Sequence, residues 1–278
     1  MNFNRTLRVG AAFAVLFCSA SATASAQTGK YYLMDGDSQT GYIASGGSVL
    51  SSFRQANNGI GGGLGEYALA VSGGSIRSLA NGNCGSGTCA NGLGSQYNLS
   101  GTYTGTTYAY PVAGACFYDG ASDGTSNYSV DYCKGGVYKT ALDWSSPTQI
   151  FATSAGNLGI TYDPTSNTIF TASFYGSSVS QWSMTGTLLN TFATPGSENA
   201  ALAMDYSDGT LWSIQGTTAY NFTTTGAAIG TETYGGLFNV LGGEFEVSAV
   251  TATPEPASIA LVATGLLSVV SVARRRKR

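Results

Sequence analysis

The chain has 278 residues, 39 of them glycine, with no histidine and 10% charged side chains. Without an imidazole, Ser-His-Asp and Cys-His catalysis and zinc or iron sites built on histidine are excluded. A pI near 4.8 sets the surface against the phosphates of nucleic acid, while 43% hydrophobic residues, with 17 Tyr, 12 Phe and 3 Trp, supply a sizeable core.

Residues 1–26 have the three parts of a secretory signal. Arg5 and Arg8 form a positive start, Val9 to Phe17 an apolar run, and Ala24-Ser25-Ala26 a small-x-small cleavage site that makes Gln27 the mature N-terminus. The apolar run is short for a membrane anchor, so a cleaved signal helix is expected.

The exported body, residues 27–253, holds fourteen acidic and five basic side chains (Lys30, Arg54, Arg77, Lys134 and Lys139), a formal charge of −9. Such a body is soluble and unsuited to anionic polymers. Its sequence repeats. Ile160 to Pro164 aligns with Leu202 to Tyr206, and Thr168 to Phe170 with Thr210 to Trp212, both at a shift of 42. Trp182 falls on Tyr220, Gly186 on Gly226, and Gln96 to Thr102 lies two repeats before Gln181 to Thr187. Phe117-Tyr118-Asp119 places Asp119 as the counterpart of Asp163, with Gly136 to Tyr138 as the following strand of that unit. Each unit alternates short Thr-, Tyr-, Val- and Ile-rich runs with Gly, Ser, Asn and Asp, the signature of strands and turns.

A period of 40 to 45 residues with about four strands per unit predicts an all-β fold, a β-propeller of about five blades. Gly243 to Val247 resembles Gly65 to Leu69, and the hairpins around Tyr31 to Phe53 lack a preceding strand. The C-terminal strand is therefore expected to complete the first blade and leave no long edge open. A β-sandwich also fits short, evenly spaced strands, although it does not predict the repeat.

Four cysteines remain in the body. In an oxidising compartment they predict two disulfides, Cys84 with Cys89 and Cys116 with Cys133, the rival reading being a metal site. Asp119, Asp163 and Asp205 read as turn formers that bond their own backbone. Asp35-Gly36-Asp37 and Asp119 to Gly124 faintly resemble calcium loops, so Ca²⁺ is carried as an alternative without assigned ligands. Gly59 to Gly65 lacks a P-loop ending and reads as a linker. Tyr42, Tyr97, Trp182 and Tyr220 occupy equivalent repeat positions, which points to packing between blades rather than to a sugar-stacking surface. No catalytic residues stand out.

Residues 254–278 form a tripartite tail: Pro254-Glu255-Pro256, the uncharged stretch Ala257 to Ala273, and the cluster Arg274, Arg275, Arg276, Lys277 and Arg278. Seventeen residues of helix reach about 25 Å, a thin transmembrane span, and the basic cluster holds the end in the cytoplasm. This tail resembles the PEP-CTERM sorting signal of Gram-negative bacteria. The resemblance implies recognition by an exosortase, a membrane-embedded cysteine protease, then removal of the tail and delivery to the cell surface or extracellular polymer matrix. The expected function is a non-enzymatic binding or structural propeller with a polysaccharide or protein ligand. The alternatives are a carboxylate glycoside hydrolase and a calcium-stabilised module.

Overall fold

A computed structural model describes residues 29–56, 65–81 and 89–247. The signal with its cleavage residues Ala24, Ala26 and Gln27, the tail from Pro254 to Arg278, Cys84 and most of the Gly59 to Gly65 loop lie outside the described residues. Among the described residues no helix is long and apolar enough to cross a membrane.

Among the described residues twenty strands form five four-stranded antiparallel sheets, the blades of a five-bladed propeller. Blade 2 runs from its innermost strand outward as β4 (Gly65–Ser72), β5 (Ser75–Asn81), β6 (Gly94–Asn98) and β7 (Tyr103–Tyr108). Blade 3 holds β8 (Ala121–Ser122), β9 (Ser126–Val130), β10 (Gly136–Ala141) and β11 (Thr148–Ala152). Blade 4 is β12 (Asn157–Asp163), β13 (Thr168–Ser173), β14 (Ser178–Ser183) and β15 (Leu188–Ala193). Blade 5 is β16 (Ala200–Asp205), β17 (Thr210–Gln215), β18 (Thr218–Phe222) and β19 (Ala228–Thr233). Blade 1 combines both ends of the body: β20 (Gly242–Phe245) is innermost, followed by β1 (Tyr31–Asp35), β2 (Thr40–Ser45) and β3 (Ser48–Arg54). Tyr31 pairs with Phe245 and Met34 with Gly242, the expected closure by the C-terminal strand.

The buried residues form apolar layers between blades. Tyr31, Ala203 and Trp212 join blades 1 and 5; Met34, Leu69 and Tyr97 join blades 1 and 2; Ala70, Phe117 and Trp144 join blades 2 and 3. Val130 and Ile160 join blades 3 and 4, and Phe170 and Leu202 join blades 4 and 5. No blade could bury its faces alone, so stacking closes the ring. The repeated aromatics Tyr42, Tyr97, Trp182 and Tyr220 all sit on third strands and serve this packing. Phe53 of blade 1 rests on Tyr97, and Phe151 of blade 3 on Trp182.

Gly101, Gly186 and Gly226 turn the third strands of blades 2, 4 and 5 into fourth strands with φ of 83°, 83° and 89°. A Cβ at these positions would run into Phe53, Phe151 and Phe192 of the preceding blade. One glycine therefore serves both the turn and the blade interface.

The repeat alignment fails in blade 3. Asp163 and Asp205 end the innermost strands of blades 4 and 5, and each accepts the backbone N–H two residues on, from Thr165 at 2.8 Å and Ser207 at 2.9 Å. The residue that does this in blade 3 is Asp123, which accepts from Thr125 N–H and Ser126 N–H, both at 2.7 Å. Asp119 lies four residues earlier and points into the centre of the ring. Gly136 to Tyr138 begins the third strand of this blade, the second being β9. The cause is local: β8 has only two residues, so the upper half of the inner strand is irregular and lacks the alternation that marks its counterparts.

Candidate functional site

All five innermost strands start on one face of the ring. Residues within three positions of these starts gather there: Tyr67 of blade 2, Tyr118 of blade 3, Leu158 of blade 4, Ala200 of blade 5 and Leu241 of blade 1. Tyr132 and Phe174, from the loops between second and third strands of blades 3 and 4, pack against them. The rings meet edge to face in series: Tyr67 with Tyr118 at 5.3 Å, Tyr118 with Tyr132 at 5.7 Å, Tyr132 with Phe174 at 6.4 Å, and Phe174 with Tyr175 at 4.7 Å. These are favourable aromatic geometries and fix the rings relative to one another. Tyr175 is 76% exposed and Phe238, in the loop leading to β20, is 71% exposed.

A polar edge borders this aromatic platform. Tyr67 Oη donates to Asp37 Oδ1 at 2.5 Å, and Asn239 Nδ2 donates to Asp37 Oδ2 at 2.7 Å. Asp35 anchors the turn beneath: its Oδ1 accepts Asp37 N–H and Ser38 N–H, both at 3.0 Å, and its Oδ2 accepts Asn239 N–H at 3.1 Å. Burial pushes the Tyr67 hydroxyl up, with Asp37 adding to the shift, and burial raises Tyr118 to about 12. These hydroxyls stay protonated at neutral pH and act as donors.

Sulfur braces the platform from below. Cys116 and Cys133 form the expected disulfide, with 5.7 Å between Cα atoms. Their N–H groups both donate to Asp131 Oδ1, at 3.1 and 3.0 Å. Cys89 is also disulfide-bonded, its expected partner Cys84 lying outside the described residues. The sulfurs of Cys89, Cys116 and Cys133 lie within 4.8 Å of one another, and Cys89 Sγ is 4.0 Å from Tyr118 Oη.

Beneath the aromatics the channel is filled. Asp119 is fully buried, and its carboxylate accepts N–H groups from Gly120 at 3.0 Å, from Ile160 of blade 4 at 3.0 Å and from Gly243 of blade 1 at 2.9 Å. One residue further along the strands, Glu244 is also fully buried. It accepts Phe245 N–H at 2.9 Å and the Thr161 hydroxyl at 3.1 Å, and that hydroxyl in turn accepts Met204 N–H at 3.0 Å. Burial raises both carboxyls, and Asp119 raises Glu244 further by its charge. Two carboxylates from different blades thus converge, at the centre of the channel and not at its mouth, and each is bound to N–H groups of the innermost strands.

The carboxylates of the loops that resemble calcium sites have partners within the chain. Asp123 Oδ2 accepts the Tyr128 hydroxyl at 2.6 Å and lies 3.9 Å from Lys139 Nζ. Among the described residues the cysteines 89, 116 and 133 form the one group with metal-ligand spacing, and all three are in disulfides.

Sequence reading missed the platform. A signal for it exists: Tyr132 and Phe174 are 42 residues apart, the repeat shift, and both follow second strands. Both stand in polar loops outside the strands, Tyr132 between Asp131 and Cys133 and Phe174 before Tyr175 and Gly176, which hides them from strand patterning.

Residues 252–277 match the PEP-CTERM protein-sorting motif. This sorting motif implies an exported chain that is held in the membrane and then processed by an exosortase-type membrane protease. No curated protein matches the chain. Among solved structures, the nidogen/laminin complex aligns with a TM-score of 0.51 at 11% identity, over 78% of this chain and 98% of that one. A Bacteroides caccae protein of unknown function aligns at 0.46 and 13% identity, over 74% and 73% of the two chains. Myxococcus xanthus glutaminyl cyclase also aligns at 0.46 and 13%, over 61% and 70%. At such identities the likeness concerns the fold alone.

Proposed function

We propose that this is a non-enzymatic binding protein of the cell surface or extracellular matrix of a Gram-negative bacterium, whose propeller takes a neutral glycan on the aromatic platform. The observation that carries this reading is the row Tyr118, Tyr132, Phe174 and Tyr175 beside Asp37 and Asn239. Aromatic faces take the C–H faces of pyranose rings, and a carboxylate and an amide orient hydroxyls, the usual mix of apolar area and few polar groups in a binding site. The acidic body favours neutral over anionic polymers.

The test is affinity electrophoresis and calorimetry of the body, residues 27–253, against a panel of extracellular polysaccharides. Tyr175→Ala is expected to weaken binding about tenfold, which corresponds to about 1.4 kcal/mol. Unchanged affinity in Tyr175→Ala and Tyr132→Ala, or no binding to any polysaccharide, removes the reading. The glycoside hydrolase alternative draws on the Asp119 and Glu244 pair, and product release from the same panel would favour it. A rise in melting temperature with Ca²⁺ would favour the calcium-stabilised alternative.

A further inference from the structure

Among the described residues six buried side-chain polar atoms have no partner within the chain, and five of them fall into two groups; the sixth is the Tyr206 hydroxyl. In blade 5 they are Asp205 Oδ2, Trp212 Nε1 and Asn221 Oδ1, and in blade 3 they are Asn127 Oδ1 and Trp144 Nε1. All five side chains are at most 1% exposed. A buried donor or acceptor without a partner is costly and uncommon, so such atoms mark places where something besides the chain supplies the bond. We propose that each group holds one internal water, and that the water of blade 5 ties the inner three strands of that blade together on the face that meets blade 1 at the closure of the ring.

Strand register brings the blade 5 atoms together. Asp205 lies opposite Thr210, and Trp212 lies opposite both Ala203 and Asn221. Ala203, Trp212 and Ala219 pack against blade 1. Side chains alternate along a strand, so Asp205, two residues beyond Ala203, and Asn221, two beyond Ala219, face blade 1 as well. An indole reaches both its directly opposed neighbour and its diagonal one on such a face. In blade 3, Tyr128 and Val130 pack toward blade 4, so Asn127 faces blade 2, where Trp144 is also buried. Asn127 Nδ2 donates to Leu142 O at 3.0 Å, two residues from Trp144.

The bonding pattern identifies the ligand. Asn127 must turn its NH₂ to the Leu142 carbonyl, so its free atom is the oxygen. Asn221 is fixed in the same way: Thr210 gives its hydroxyl proton to Asp208 Oδ1 at 2.7 Å and therefore accepts from Asn221 Nδ2 at 3.2 Å. Each group thus offers one indole N–H and one amide oxygen, with a carboxylate oxygen added in blade 5. A cation would meet the N–H and an anion the oxygens. Water accepts from the indole and donates to both oxygens of blade 5, the three bonds usual for a buried water. Blade 4 serves as an internal control. At the shift of 42, Phe170 stands in place of Trp212, opposite Gln181, and Ser166 in place of Asp208. Ser166 Oγ donates to Asp163 Oδ2 at 2.6 Å, which fills the counterpart of the free Asp205 oxygen. With that donor present and the indole gone, blade 4 contributes none of the unpartnered atoms among the described residues.

The experiment is a crystal structure of the exported protein at atomic resolution, paired with one of the double variant Trp212→Phe with Asp208→Ser, which gives blade 5 the residues of blade 4. The expected wild-type result is an ordered water within hydrogen-bonding distance of Trp212 Nε1, Asp205 Oδ2 and Asn221 Oδ1, and a second one at Trp144 Nε1 and Asn127 Oδ1. Trp182, whose Nε1 already donates to Thr171 Oγ1 at 2.9 Å, is expected to have no water on its indole nitrogen. The double variant is expected to lose the first water and keep the second. Three results would overturn the proposal: no water density at either group, a direct bond from Trp212 Nε1 to Asp205 or Asn221, or the first water unchanged in the double variant. The wild-type structure decides the matter even if the variant fails to fold.

Discussion

Asp119→Ala should be the most informative single change in the body. The Asp119 carboxylate accepts N–H groups from Gly120, Ile160 and Gly243, which belong to blades 3, 4 and 1. Alanine leaves three buried donors without this acceptor. At about 1–2 kcal/mol for each orphaned donor, the cost is about 3–6 kcal/mol, a large part of an ordinary domain stability. For a body of this size that is a fall in melting temperature of roughly 6–24 °C. Asp119→Asn keeps one oxygen for Gly120 and Gly243 and turns its amide toward Ile160 N–H, so it should fall between wild type and alanine. The pH dependence supplies an independent check. Burial raises the folded-state pKa of Asp119, and unfolded Asp titrates near 3.9, so its stabilising contribution is full below about pH 4 and declines as pH rises through the folded value. The gap between wild type and Asp119→Ala should therefore be wider at pH 4.5 than at pH 8. Asp123 and Asp143, both held below the usual carboxylate range, lose their contributions only at more acidic pH and do not interfere. Differential scanning calorimetry at the two pH values tests both points. A shift under 3 °C, or a gap that widens toward pH 8, would refute the assignment of Asp119 as the bond that joins three blades.

Gly242→Ala should prevent ring closure, because its Cβ would overlap the Tyr67 carbonyl oxygen, a backbone atom that cannot rotate aside; the expected readout is loss of a single cooperative thermal transition. Gly186→Ala combines a positive φ with a collision against the Phe151 ring and should cost at least about 1–2 kcal/mol from the backbone alone, measured by urea denaturation. Cys116→Ala with Cys133→Ala removes a bond across 17 residues of chain and should cost about 3 kcal/mol by the loop-entropy argument, again measured in urea.

The parts of the fold that were legible in the sequence are those where each blade solves the same physical problem in the same way. Trp182 and Tyr220 recur because every third strand must fill the gap to the preceding blade, and Gly186 and Gly226 recur because the turn that follows must also admit a phenylalanine. Closure was legible because Gly243 to Val247 repeats the pattern of another innermost strand. The site was hidden because it depends on differences between blades. At the place of Tyr132 and Phe174, blade 5 has Gly216, so the aromatic row covers only part of the ring and no period announces it. Asp119 was misread for a related reason. The strand that follows it pairs over only two residues, and the next aspartate in sequence, Asp123, performs the turn role that the repeat had assigned to Asp119.

The closing strand also sets the direction in which the platform faces. Leu241, just before β20, lies in the aromatic cluster, whereas Val247, just after it, bridges Ser72 at the far end of β4. Along the way each residue has a separate task. Gly242 passes close to the Tyr67 carbonyl, Gly243 bonds Asp119, Glu244 holds Thr161, and Phe245 stacks on Tyr31 with ring centres 4.6 Å apart. The described chain therefore leaves the ring on the face opposite the platform, and the sorting motif begins five residues later, at residue 252.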